Sequence, residues 1–293
     1  MVPIEMKRVK KAQHSAVQAC VLLVLSALAG QAAAQSEMDS GGPKPLWEVG
    51  VVAGAISTPA YPASADRNSR ALVVPFFIYR GEVLRAEQGT MGARLLRGDR
   101  YEVDLGFAGS LPAASKDVAA RSGMSDLGLL VELGPRLKVK LSDDNPDQRL
   151  SLEVPLRAVL ELKGGVNPQG VAFEPELHWS QRLPGNWNLG TSAGVVWGSR
   201  KLNQYFYGVS AADVNPALNR GLYNAQAGLI STRLGLTLTH KLTSDVRLLT
   251  FVRFDHYGGS ANQDSPLYKK NNGTSAGVAV AWTLGRSSQA GRD

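Results

Sequence analysis

The chain has 293 residues, with 32 Lys and Arg against 25 Asp and Glu, for a formal charge of +7. Lys7, Arg8, Lys10 and Lys11 hold much of that excess. From residue 35 onward the charge is roughly +4 and scattered, which argues against nucleic acid as a partner. The one cysteine, Cys20, sits in an N-terminal apolar run, so the chain beyond it has no disulfide, no thiol nucleophile and no cysteine metal site.

The four basic residues, the apolar run Ala16–Ala29 and Ala32-Ala33-Ala34 have the form of a secretory signal peptide over residues 1–34, cleaved before Gln35. Residues 35–45 read as a flexible polar leader rich in Gly, Pro and Ser. Nothing later is a run of eighteen apolar residues, so no spanning helix is expected there. A membrane location therefore demands a closed barrel, because lipid offers no partner to open backbone groups.

Two-residue alternation then dominates. Trp47, Val49, Val51, Ala53 and Ala55 share one parity. Ala71–Tyr79 is an apolar and aromatic run in which Pro75 predicts a bulge or a strand end. Short strands are expected over 82–87 and 90–97. Tyr101, Val103, Leu105 and Phe107 alternate with Arg100, Glu102, Asp104 and Gly106. Residues 110–125 read as a long loop. Leu127, Leu129, Val131 and Leu133 share the next face, and Leu137, Val139 and Leu141 continue it.

After a turn at 142–148, Leu150, Leu152, Val154, Leu156, Ala158, Leu160 and Leu162 form one face. Ser151, Glu153, Pro155, Arg157, Val159 and Glu161 form the other. A loop is expected at 163–169. Phe173, Leu177 and Trp179 then oppose Glu174, Glu176, His178 and Arg182. Past Pro184-Gly185-Asn186, Trp187 and Trp197 lie on one strand face, separated by close to the height of a bilayer's apolar band. Residues 199–225 read as the longest connection, with no helical periodicity after residue 35. Two more alternating strands flank a turn at 242–244, a polar loop follows at 257–272, and a last strand is expected at 274–284.

The pattern predicts an all-β fold: one antiparallel transmembrane β-barrel over 46–284 with about twelve strands, ten to fourteen being compatible. Residues 285–293 form a polar C-terminal tail. One face of each strand meets outer-membrane lipid and the other lines the lumen. The lumen charges expected are Glu102, Asp104, Glu132, Glu153, Arg157, Glu161, Arg233, Arg247, Arg253 and Asp255. They suit either a selective channel or an ion-paired plug, with a filled or narrow interior favoured. Tyr205, Phe206 and Tyr207 form an aromatic loop patch that serves equally as a partner surface or as a cap on the barrel rim. His178-Trp179-Ser180 is the one catalytic-looking pair, but its parity is that of the lumen, which favours a polar wall position. His178, His240 and His256 have no zinc-site spacing, so no metal or other cofactor is expected.

Several local patterns resemble one family. These are Pro59-Ala60-Tyr61-Pro62-Ala63-Ser64, Val73-Val74-Pro75 with Tyr79-Arg80, Trp197-Gly198-Ser199, and Tyr205-Phe206-Tyr207-Gly208-Val209-Ser210. With the Gly-rich final strand, they are similar to the MipA/OmpV family of outer-membrane proteins. The resemblance implies a non-enzymatic outer-membrane barrel. For one branch it implies a scaffold holding a murein-cleaving lytic transglycosylase beside a murein synthase. A narrow porin for small solutes is the alternative, and a lipid-acting enzyme a third.

Overall fold

A computed structural model describes residues 45–81, 84–87, 90–143, 145 and 147–291. The expected signal peptide and nearly all of the leader lie outside them. Thirteen strands follow in order: β1 (Trp47–Pro59), β2 (Arg67–Arg80), β3 (Leu84–Glu87), β4 (Thr90–Arg97), β5 (Tyr101–Ser110), β6 (Leu129–Lys140) and β7 (Gln148–Leu162). Then come β8 (Val166–Phe173), β9 (Glu176–Leu183), β10 (Trp187–Gly198), β11 (Gly228–Lys241), β12 (Val246–His256) and β13 (Asn272–Arg286). One helix, α1 (Arg200–Tyr207), lies between β10 and β11.

The sheet closes on itself. Sequence neighbours pair antiparallel around the ring, and β13 returns to β1. β8 and β9 share one place in the wall, since β7 pairs with β9 through Gln148–Glu153 and with β8 through Leu156–Leu162. Glu174-Pro175 separates them, where proline has no N–H to donate. The thirteen strands therefore make a twelve-position barrel, the even number that the sequence predicts.

Alternation decides what faces where. Val73, Phe77, Leu156, Leu234, Leu236, Val278, Trp282 and Leu284 all point outward and stand exposed, while Glu48, Arg80, Asp104, Arg136 and Asp255 are buried inside. A water-soluble protein shows the reverse arrangement, so the outer surface is built for hydrocarbon. No helix among the described residues is long and apolar enough to cross a membrane, as a barrel requires none. On β10, Trp187 and Trp197 share the outer face, and Trp187 stacks on His240 with ring centroids 4.1 Å apart.

Three expectations need correction. Pro75 neither ends nor bulges its strand: β1 and β2 pair without a shift from Trp47↔Tyr79 to Pro59↔Arg67. The Arg80 N–H donates to the Leu46 carbonyl across β1. Strand alternation then turns Ile78, Phe76 and Val74 toward β1, and Phe77, Pro75 and Val73 toward the opposite edge. Pro75 thus omits a donor only on that edge. Residues 166–169 are strand rather than loop, because Gly164 (φ 65°) and Gly165 (φ 148°) close the β7–β8 turn in backbone regions other residues avoid. The 199–225 connection also contains helix α1, whose eight residues are too few to display a period.

Up-and-down order puts the connections at two ends. Those after β2, β4, β6, β9 and β11 lie at the end that carries Trp47 and Arg286, and they are short. Those after β1, β5, β7, β10 and β12 lie at the other end, where the long loops gather. β13 runs to Arg286, and the Ser287 and Gln289 backbone bonds to Trp47 and Leu46 beside it.

The wall is uneven in height. β3 meets β2 only at Tyr79↔Ala86 and Arg80↔Arg85 before its hairpin turns into β4. Among the described residues, no strand pairs with residues 67–77 of β2 on that side. The opening narrows at the loop end, where the Asn68 side-chain amide donates to the Pro112 carbonyl at 2.8 Å.

Candidate functional site

The inner wall carries ion pairs between neighbouring strands rather than single charges. Arg136 grips Asp104 with two hydrogen bonds, Nε–Oδ1 at 3.0 Å and Nη2–Oδ2 at 2.7 Å, and reaches Glu153 at 3.0 Å. Lys138 stands 3.6 Å from the same Asp104. Arg157 contacts Glu174 at 2.7 Å and Glu132 at 3.5 Å. Arg233 joins Asp255 at 2.9 Å and reaches Glu174 at 4.0 Å. Arg253 meets Asp255 at 3.1 Å and the Ser275 hydroxyl at 3.3 Å. These contacts tie β5, β6, β7, β11, β12, β13 and the β8–β9 junction to one another along the inner wall.

Of the expected lumen charges, Asp104, Glu132, Glu153, Arg157, Arg233, Arg253 and Asp255 belong to this network. Glu102 lies opposite Lys138, and Arg247 lies opposite Ala281. Glu161 stands higher and accepts from the Gly128 N–H (3.0 Å), the Tyr205 hydroxyl (2.9 Å) and the Gln169 amide (3.0 Å). Sequence reasoning missed Arg136, Glu48 and Arg80, and it put Glu174 on the lumen face without counting it among the lumen charges. Parity alone places Arg136 with Lys138 and Glu174 with Glu176, so the signal was present. Glu48 and Arg80 pair at 2.7 Å, with both side chains buried.

His178 sits opposite Ser151 and Ser192 on the lumen side and contacts Glu176 at 3.3 Å. Ser180 shares that face, opposite Arg149 and Gly190. The described residues contain no group of three or more His, Cys, Asp or Glu able to hold a metal ion.

The loop end carries a folded lid. Ser199 caps helix α1, its hydroxyl accepting from the Leu202 and Val171 N–H groups. Leu202 then packs below the rim on Leu130, Val159, Ala172, Val196 and Ile230. Tyr205, Phe206 and Tyr207 turn into the lid instead of forming an exposed patch. Tyr207 is fully buried with Ala63, Ala225 and Tyr257, and Tyr205 and Phe206 pack against Tyr61, Val209 and Leu267.

Long-range hydrogen bonds stitch the loops together. The Tyr61 hydroxyl donates to the Leu267 carbonyl at 2.6 Å, and the Ser265 hydroxyl to that of Tyr207 at 2.7 Å. Arg220 donates to the Ala120 and Ser122 carbonyls at 2.9 and 3.0 Å. Arg121 donates to the Phe206 carbonyl at 3.3 Å and lies 5.9 Å over the Tyr61 ring. Burial in the lid raises the Tyr61 hydroxyl to about 12 and holds Arg121 below the ordinary guanidinium value.

The Ser199 cap supplies a direct test of the lid as a local unit. Ser199→Ala is expected to cost about 1 kcal/mol. Amide exchange should quicken across 200–207 while the strands keep their protection. Equal loss throughout the barrel would mean that lid and wall unfold together.

A family model described as "MltA-interacting protein MipA" matches residues 51–284. No curated protein matches the chain in sequence. Among solved structures, an outer-membrane channel from Pseudomonas putida F1 aligns at 15% identity over 84% of this chain and 99% of its own, with a TM-score of 0.37. Outer membrane phospholipase A from Escherichia coli aligns at 14% identity over 86% and 97%, with a TM-score of 0.34. The transport unit of the Escherichia coli autotransporter AIDA-I aligns at 9% identity over 87% and 99%, with a TM-score of 0.38.

Proposed function

This chain belongs to the MipA family, and from that premise we propose that it is a non-enzymatic outer-membrane scaffold for peptidoglycan-remodelling enzymes. The partner is a murein lytic transglycosylase, as the family description suggests, with a murein synthase held beside it. The expected signal peptide directs export and is then cleaved, and the short turns face the periplasm, as in bacterial barrels generally.

The observation that carries this reading is the folded lid over the loop end of the barrel, above an inner wall of ion-paired charges. A barrel capped in this way is better suited to offering surfaces than to serving as a conduit. Its turn end offers exposed charge: Arg100 with Asp143 at 3.0 Å, Arg182 with Asp147 at 3.9 Å, and Arg286 with Asp245. Rim charges of this kind steer encounter and set partner choice more than they hold the fold.

Mild crosslinking from periplasmic extract should capture a lytic transglycosylase on the wild-type barrel. Reversing Asp143, Asp147 and Asp245 to Lys should reduce capture about tenfold, through three rim contacts worth a few tenths of a kcal/mol each. In planar bilayers the same protein should show no discrete openings. Absence of murein enzymes from the crosslinked material would sink the scaffold. Conductance that responds to neutralising Arg157 or Arg253 would put a narrow porin in its place.

A further inference from the structure

We infer that the outer face of β11, β12, β13, β1 and β2 binds the headgroup of a phosphorylated glycolipid at its loop-end margin. These five strands are neighbours in the wall. At the turn end their outward parity carries His240, Val246, Trp282, Trp47 and Tyr79, a margin of rings and apolar groups. Such rings suit the interface of an ordinary phospholipid layer. At the loop end the same parity carries Thr232, His256, Asn272, Ser57 and Arg67. Leu234 and Phe254 stand exposed one outward step beneath Thr232 and His256, so this polar margin borders the hydrocarbon surface directly.

The margin is a connected arc. Thr232 lies opposite His256, and His256 lies opposite Asn272, whose side-chain oxygen is 2.7 Å from the imidazole Nδ1. Across β1 and β2 the Ser57 and Ser69 hydroxyls are 2.7 Å apart, and the Arg67 Nε donates to the Ser57 hydroxyl at 3.0 Å. Four strand spacings make the arc about 20 Å long, which calls for an extended headgroup rather than a single phosphate. It stops at β10, where Val195 lies opposite Thr232 and the exposed Trp197 restores a ring. The arc therefore marks one side of the barrel.

Its cations lack carboxylates. Arg67, Lys269 and Lys270 are exposed and make no ion pair among the described residues. The Lys269 and Lys270 N–H groups donate to the Ala63 carbonyl at 2.9 and 3.0 Å, which seats both lysines against the β1–β2 connection beside Arg67. Asp66 of that connection accepts from the Ala119 N–H of the lid at 2.9 Å, and Asp264 is the one acid between β12 and β13. At the turn end, by contrast, Arg100, Arg182 and Arg286 each have an aspartate. Cations left in this state favour phosphate, and hydroxyl and amide groups pair with sugar hydroxyls. A phosphorylated glycolipid supplies phosphate, sugar and acyl chain together. A glycerophospholipid lacks the row of sugar hydroxyls, and a soluble anion lacks the chains that would cover Leu234 and Phe254.

Native mass spectrometry of the mature barrel in zwitterionic detergent reads bound lipid directly. The probes are a bisphosphorylated diglucosamine lipid, the same lipid stripped of both phosphates, and phosphatidylglycerol. On the wild-type barrel the bisphosphorylated lipid should bind about tenfold more tightly than either of the others, the effect of one or two charge-assisted bonds. Arg67→Gln/Lys269→Gln/Lys270→Gln should remove about tenfold of that affinity and leave the dephosphorylated lipid unchanged. Arg100→Gln/Arg182→Gln/Arg286→Gln, at the turn end, should leave all three lipids unchanged. All six residues are exposed, and a retained heat-modifiable gel band verifies folding. Equal binding of phosphatidylglycerol and the bisphosphorylated lipid to the wild-type barrel overturns the glycolipid. An equal loss from the two triple variants overturns the arc as its site. Neither result depends on a murein partner.

Discussion

Arg136→Met should lower the stability of the folded barrel by about 3–5 kcal/mol, the range for breaking a buried ion pair by removing one partner. Arg136 satisfies two carboxylates at once, Asp104 through two hydrogen bonds and Glu153 through a third, with only 8% of its side chain exposed. Without the guanidinium, Lys138 is the cation left at Asp104, at 3.6 Å, so two acids on the strands flanking β6 face each other with too little compensation. The comparison is Arg100→Met, whose pair with Asp143 lies on the rim with side chains 66% and 93% exposed. That change should cost under about 1 kcal/mol. Urea unfolding from lipid vesicles, followed by tryptophan fluorescence, separates the two. Asp104→Leu in the Arg136→Met background should recover part of the loss, because the stranded acid is its main source. If Arg136→Met costs no more than Arg100→Met, the lumen around this pair is hydrated and the burial of its side chains confers no extra stability.

The same network shows how far the sequence could be read. Strand faces were legible because a barrel wall buries by parity, and parity needs no knowledge of the partner strand. Leu150 to Leu162 and Glu153 to Glu161 sort themselves. Partners on neighbouring strands were not legible: Arg157 meets Glu174 and Arg233 meets Asp255 because of registers that alternation leaves open.

The lid was less legible still. Its core joins Tyr61 to Leu267, which are 206 residues apart, through segments without any period. Helix α1 spans scarcely two turns, and its inward face is recognised by Leu130, Val159 and Ile230 only once the barrel exists. A polar loop that folds on another polar loop looks, in one dimension, like two loops. Pro75 misled for a related reason. Proline bars a central strand position, but whether a strand is central depends on its neighbour's length, and β3 is only four residues long.

Leu236→Arg tests the oily exterior itself. Leu236 stands on the outer face of β11 between Leu234 and Leu238, opposite Thr191 and Val252, and is 48% exposed. If the outer surface met water, an arginine there would change stability by no more than about 0.5 kcal/mol, the usual effect of a surface substitution. In a bilayer the same residue must hold a guanidinium in hydrocarbon, which costs about 2–4 kcal/mol near the midplane of a barrel and about 0–1 at the interfaces. The two environments therefore predict effects that do not overlap, and no burial inside the protein changes to confuse them. Val246→Arg, near the β11–β12 turn on the same outward parity, should show the small interfacial value. A depth gradient between the two positions, read by urea unfolding from vesicles, is the signature of lipid; equal and negligible effects would return the barrel to water, and the membrane function with it.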